Sequence, residues 1–185
     1  METSIIISGF GGQGALFAGQ VLTYGAMAHG MNTSWIPSYG PEMRGGKVRC
    51  TVIISDDDIG SAIVLRPDIA LVLNLPSIDF FEPLMKPGGL MIANQSLIDR
   101  DFEREDITGI MIPAQEIAEE IGNKQMLNMV AIGALLETNP IIPMDIAKQA
   151  LKDHIAERHK HTVPKNYEAM DRGAEYARKA VAEKA

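Results

Sequence analysis

The first spacing in the chain that could do chemistry is Gly9-Phe10-Gly11-Gly12-Gln13-Gly14, a Gly-x-Gly-x-x-Gly run. Glycines let a backbone approach an anion closely. Where such a turn opens a helix, the unpaired N–H groups of the first helical turn add a partial positive charge. A phosphate suits that arrangement; a subunit contact, or tight packing of the helix on a sheet, suits it equally. A second run, Ser38-Tyr39-Gly40-Pro41-Glu42-Met43-Arg44-Gly45-Gly46, carries three glycines and a proline in nine residues and reads as irregular loop throughout. Arg44 stands beside two of those glycines, where a guanidinium can grip a carboxylate or phosphate with paired hydrogen bonds. Tyr39 brings a ring and a hydroxyl. Taken alone, the segment is also compatible with a solvated surface loop.

The elements around these runs decide whether they can meet. Residues 4–8, with three consecutive isoleucines, predict a buried central strand before the first turn. A helix follows from about Gln13 to His29 and closes at Gly30. Gly19 and Gly25 lower its propensity unless it packs closely on a sheet. Strands are expected at 33–36, 48–55, 68–73, 90–93 and 107–112. A short helix starts near Ser77, an N-cap candidate. From Pro113 onward the pattern is helical, over 115–122, 126–138, about 143–158, and from Pro164, a good first-turn residue, to the end. Alternating strands and helices followed by helices alone predict an α/β fold. The expected form is a three-layer α/β/α arrangement on a mainly parallel sheet, with a helical C-terminal extension, as a single domain over residues 1–185. On such a sheet both glycine-rich loops emerge at the carboxyl edge, where ligands bind.

Composition narrows the function. The net charge of −7 argues against general nucleic-acid binding, which needs a basic face. Cys50 is the single cysteine, so the chain by itself can form no disulfide, iron–sulfur cluster or cysteine zinc site. Cytoplasmic residence is expected from that, and from the lack of a basic n-region ahead of the first apolar run. No apolar stretch approaches the ~20 residues of a membrane helix. Cys50 falls in an apolar strand pattern and reads as a buried, inert thiol. The run Arg158-His159-Lys160-His161 reads as a solvated basic helix end, and Asp56-Asp57-Asp58 as a turn between strands. For a dinucleotide site the turn lacks its usual companion. An acid is wanted about 20 residues on, at the end of the second strand, and Ile36-Pro37-Ser38 stands there instead.

Taken together, the two glycine-rich runs, residues 126–135 (Met-Leu-Asn-Met-Val-Ala-Ile-Gly-Ala-Leu) and residues 166–173 (Asn-Tyr-Glu-Ala-Met-Asp-Arg-Gly) resemble the gamma subunit of the 2-oxoacid:ferredoxin oxidoreductases. The four segments fall in order across almost the whole chain. The resemblance implies a subunit of a complex that decarboxylates a 2-oxoacid oxidatively to its acyl-CoA and is not catalytic alone. Thiamine diphosphate, magnesium and the iron–sulfur clusters would sit in alpha, beta and ferredoxin-like delta subunits, with ferredoxin as acceptor. No Gly-Asp-Gly signature for magnesium on thiamine diphosphate occurs in this chain. A contact to coenzyme A is implied, with Gly11, Gly12, Gln13, Gly14, Ser38, Tyr39, Gly40, Glu42, Arg44 and Gly45 as its candidate residues. An independent NAD(P)- or flavin-binding oxidoreductase, an indolepyruvate oxidoreductase beta subunit, and a binding or regulatory module without an enzyme partner are the competing readings.

Overall fold

The computed structural model describes residues 1–42 and 45–183. Six strands form one sheet in the order β2-β3-β1-β4-β5-β6. They are β1 (Glu2–Phe10), β2 (Asn32–Tyr39), β3 (Lys47–Ser55), β4 (Ile69–Val72), β5 (Leu90–Asn94) and β6 (Thr108–Ile112). The pairs β1–β4, β4–β5 and β5–β6 are parallel. β3 runs antiparallel to both β1 and β2, so it alone among these strands opposes the rest. The connection from β2 back into β3 is short, and a short connection can join only antiparallel neighbours. Ser38 and Tyr39, expected in irregular loop, belong to β2, because pairing with Arg49 and Val48 carries the strand two residues into that run.

The helices are α1 (Ala15–Ala28), α2 (Leu75–Phe81), α3 (Ala114–Glu120), α4 (Leu127–Thr138), α5 (Met144–His154) and α6 (Val163–Ala182). Strand side chains alternate between two faces. Ile5 and Ile7, the even-numbered residues of β3 from Val48 to Ile54, and Leu71 and Ile92 face one core together with α1, α3, α4, α5 and α6. Ile6, Val72, Met91 and Ala93 face a smaller core closed by Ile78 and Phe81 of α2, with Met85 and Ile98 beyond it. The third layer is therefore thin, and it leaves the carboxyl end of β2 and the adjoining amino end of β3 uncovered on the α2 side.

Local chemistry places the wall of that opening. α2 is capped by Asn74, whose side chain accepts from the Ser77 amide at 3.1 Å, and Pro76 lies in its first turn. Ser77 is thus the donor to the cap rather than the cap itself, since asparagine serves as an N-cap as well as serine does. The far end of α2 is bolted down by the buried Glu82 carboxylate. It accepts from the Glu103 and Arg104 amides and from Arg100 at 2.8 Å. α5 stops at His154, where Ile155 turns extended, and residues 157–162 form a separate 3-10 turn, so the basic run is not the end of that helix.

Two contacts hold the frame. A Cβ on Gly133 would lie 1.9 Å from the Met170 carbonyl oxygen, and one on Gly173 would lie 1.9 Å from that of Val130, so α4 and α6 cross backbone to backbone. Replacing Gly173 with alanine forces these helices apart. Overpacking on this scale costs about 3 kcal/mol, and the melting temperature is expected to fall on the order of 10 °C; an unchanged thermal melt would contradict the close crossing. The second contact joins the starts of β1 and β4. Asp68 accepts from the Ser4 amide at 2.9 Å, from the Ser4 hydroxyl, and from Lys86 at 2.7 Å. Partial burial works against its ionisation, but the Lys86 and Ser4 hydrogen bonds outweigh it and hold the carboxyl below its ordinary value of 3.8. A depressed carboxyl stabilises the fold above its unfolded pKa and loses that contribution as the pH falls. Asp68→Asn should therefore be less stable than the parent chain at neutral pH. The gap should close as the pH drops through and below 3.8 in denaturant titrations.

Candidate functional site

A cavity of about 380 Å³ opens at the carboxyl edge of the sheet, on the uncovered α2 side. Ser8 and Gly9 at the end of β1 form its floor. Ser38, Tyr39 and Gly40 come from the end of β2, and Lys47 and Arg49 from the start of β3. Asn74, Ser77 and Phe80 close it from α2. Lys47 and Arg49 are two residues apart on one strand, so they point to the same face. Both are exposed, and neither has an acidic partner among the described residues. The nearby acids of α2 and its extension are engaged elsewhere, Asp79 and Glu82 both with Arg100. The cavity therefore carries local positive charge in a chain of net charge −7. Tyr39 and Phe80 are more than half exposed at its rim. Two cations, the Ser38 hydroxyl and two aromatic faces suit an anion attached to a ring or an apolar arm.

The two glycine-rich runs meet, as their shared edge requires. The Gly11 amide donates to the Gly46 carbonyl at 2.9 Å, and the Gly45 amide to the Gly11 carbonyl at 3.4 Å. Of the residues singled out from sequence, Ser38, Tyr39 and Gly40 line the cavity. Glu42 and Gly45 lie in the exposed loop beside it. Arg44 falls outside the described residues. Gly12, at φ 101°, has open space where a Cβ would project. Gly14 is left-handed, and the place of its Cβ is filled by Asn128, which donates to the Gly14 carbonyl at 3.1 Å. Gln13 turns inward: its side-chain oxygen accepts from the Phe10 amide at 2.6 Å, and its nitrogen donates to the Leu73 carbonyl at 3.1 Å. Lys47 and Arg49 were missed. The signal was an alternating cation pair at the start of a strand directly after the glycine-rich loop, and it gains meaning only once that strand is known to border β1.

The strand order also bears on the dinucleotide alternative. In the classical arrangement the acid that holds the ribose stands at the end of the strand next to β1. Here β3 is inserted between β1 and β2, so the end of β2 lies one strand further from the turn. Neither the acid nor its place beside the turn is present. Cys50 lies buried under α1, with Gly19 packed against its sulfur and Trp35, and burial pushes its thiol up to about 12. His154 stacks flat on Tyr24, ring centroids 3.6 Å apart. Among the described residues no helix is long and apolar enough to cross a membrane.

Comparison with known proteins agrees with this architecture. A ketoisovalerate oxidoreductase subunit of Methanothermobacter marburgensis is 34% identical over 179 residues, covering 96% of this chain but 37% of its own length. The chain thus spans little more than a third of that longer relative. A 2-oxoglutarate synthase subunit of Methanocaldococcus jannaschii is 35% identical over 181 residues, covering 96% of this chain and 95% of the relative. The crystal structure of a keto/oxoacid ferredoxin oxidoreductase gamma subunit from Geobacter sulfurreducens superimposes with a TM-score of 0.82 at 27% identity, over 96% of this chain and 99% of that one. Residues 4–176 match the sequence profile described as pyruvate ferredoxin/flavodoxin oxidoreductase. With a profile match over nearly its whole length and relatives above 30% identity, the chain belongs to the pyruvate ferredoxin/flavodoxin oxidoreductase family.

Proposed function

We propose that the chain is the gamma-type subunit of a cytoplasmic 2-oxoacid:ferredoxin oxidoreductase that converts a 2-oxoacid oxidatively to its acyl-CoA. The observation that carries this is the end-to-end likeness to a 2-oxoglutarate synthase subunit of nearly the same length. A chain with one buried cysteine cannot hold an iron–sulfur cluster. Thiamine diphosphate, magnesium and the clusters belong to the partner alpha, beta and delta subunits, and ferredoxin takes the electrons from the complex. Thiamine diphosphate supplies the carbanion chemistry there; this chain's part is to bind and orient.

The part we assign to it is contact with coenzyme A, and the cavity is the place. Lys47 and Arg49, without an acidic partner among the described residues, offer two cations to phosphate. Ser38 offers a hydroxyl, and Tyr39 and Phe80 offer faces for a ring or the pantetheine arm. At about 380 Å³ the cavity lies within the usual range for small-molecule sites and accommodates one end of the coenzyme rather than all of it. The other end is then free to reach a partner's reactive centre. The exposed Glu42 and Gly45 flank that opening, and Gly45 and Gly46 are tied to the glycine-rich turn through Gly11.

Affinity purification from the native cells tests the subunit reading. Thiamine- and cluster-binding chains should copurify, with coenzyme A-dependent reduction of a viologen dye by one of a panel of 2-oxoacids. A chain recovered alone and without activity would defeat it. The cavity is tested in the assembled enzyme. Lys47→Ala and Arg49→Ala should each raise the KM for coenzyme A about tenfold, the size of one lost charge-assisted hydrogen bond, with kcat nearly unchanged. An unaltered KM in both variants would remove coenzyme A from this cavity.

A further inference from the structure

The glycine-rich turn is already occupied by one of its own side chains. Gln13 folds back across the crevice between the carboxyl ends of β1 and β4, the point where helices on opposite faces diverge and where nucleotide folds hold a pyrophosphate. Its oxygen accepts from the Phe10 amide at 2.6 Å and from the Asn74 side chain at 3.3 Å. Its nitrogen donates to the Leu73 carbonyl at 3.1 Å. The partners fix which end is which, because an amide N–H can only donate and a carbonyl can only accept. Asn74 is oriented in turn by capping Ser77, whose hydroxyl lies 2.9 Å from that of Ser8.

Gly9 shows what the turn is built around. A Cβ there would lie 2.6 Å from the Gln13 oxygen and 3.0 Å from Leu73. In a nucleotide-binding turn the room beside such a glycine admits a ligand; here it admits the carboxamide. The Gly11 amide is engaged with Gly46 and the Gln13 amide with the Phe10 carbonyl, so further donors of the turn are also taken internally.

We infer that Gln13 is a built-in occupant of the crevice. Its carboxamide oxygen takes the position of a ligand oxyanion, so the turn itself holds no phosphate, and a phosphorylated ligand is received instead by Lys47 and Arg49 on the far side of β1. Gln13 is in this sense a specificity-determining residue against pyrophosphate at the turn. The assignment of the anion to Lys47 and Arg49 rests on the cavity reading above; the occupancy of the crevice does not.

Backbone amide NMR of the 185-residue chain titrated with ADP, a nucleoside diphosphate that carries the pyrophosphate, separates these statements. In the parent chain, ADP should shift the amides of Lys47, Arg49 and Ser77 and leave Phe10 to Gly14 in place. Gln13→Ala bares the Phe10 N–H and the Asn74 amide. ADP should then shift Phe10 and its neighbours, with affinity raised about tenfold, as expected for a hydrogen bond to a charged group. Gln13→Asn, which draws the carboxamide back by one methylene, should give the same gain if the alanine variant does not fold. Gln13→Met refills the space without polar atoms and should not. Shifts at Phe10 to Gly14 in the parent chain would overturn the inference, as would the failure of both opening variants to gain a response there. The cavity is judged separately by the Lys47 and Arg49 amides, so either reading can fall while the other stands.

Discussion

β1 is hydrogen-bonded along both edges, antiparallel to β3 from Glu2 to Phe10 and parallel to β4 from Ile5 to Ser8. Everything at the candidate site hangs from its carboxyl end. Ser8 and Gly9 make the floor, the glycine-rich turn continues directly from Phe10, and the neighbours on either side supply Lys47 and Arg49 from β3 and Asn74 just beyond β4. A strand buried on both faces and paired on both edges has no freedom to shift register, since a slip of one residue would turn Ile5 and Ile7 out of one core and Ile6 out of the other. The rigidity of the cavity floor follows from that constraint.

The lopsided layering gives this rigidity a use. Among the described residues five helices crowd one face, with α4 and α6 crossing at Gly133 and Gly173, whereas the other face has α2, short 3-10 turns and irregular chain. Where the thin layer ends, the carboxyl end of β2 and the amino end of β3 present cations and an aromatic ring to open space. A fold that acts alone gains little from leaving Tyr39 and Phe80 half exposed beside the cations Lys47 and Arg49. A subunit that receives a ligand between itself and a partner gains both the apolar contact and the charge.

Much of this was legible in the residues. The isoleucine run, the alternating apolar positions of β3 and the Pro-Gly-Gly turn before β5 fixed each strand to within a few residues. Gly19 in α1 signalled close packing, and it lies against Cys50 and Trp35. Helix ends were read less well. Asn74 won the cap of α2 from Ser77, and Ile155 ended α5 before the basic run, because such choices depend on what each backbone N–H meets in three dimensions. Ser38 and Tyr39 were drawn into a strand by a partner that lies more than eight residues away in sequence.

The sequence by itself determined the element order, the buried strands, the family likeness and the presence of two glycine-rich loops at one edge, because hydrophobic period, turn chemistry and motif spacing are local properties. Only the tertiary structure decided that β3 lies between β1 and β2, that Gln13 fills the crevice beside its own motif, and that Lys47 and Arg49 face a cavity. Strand order and side-chain direction depend on pairings between residues distant in the chain, and the Gln13 carboxamide finds two of its partners, Leu73 and Asn74, beyond the end of β4.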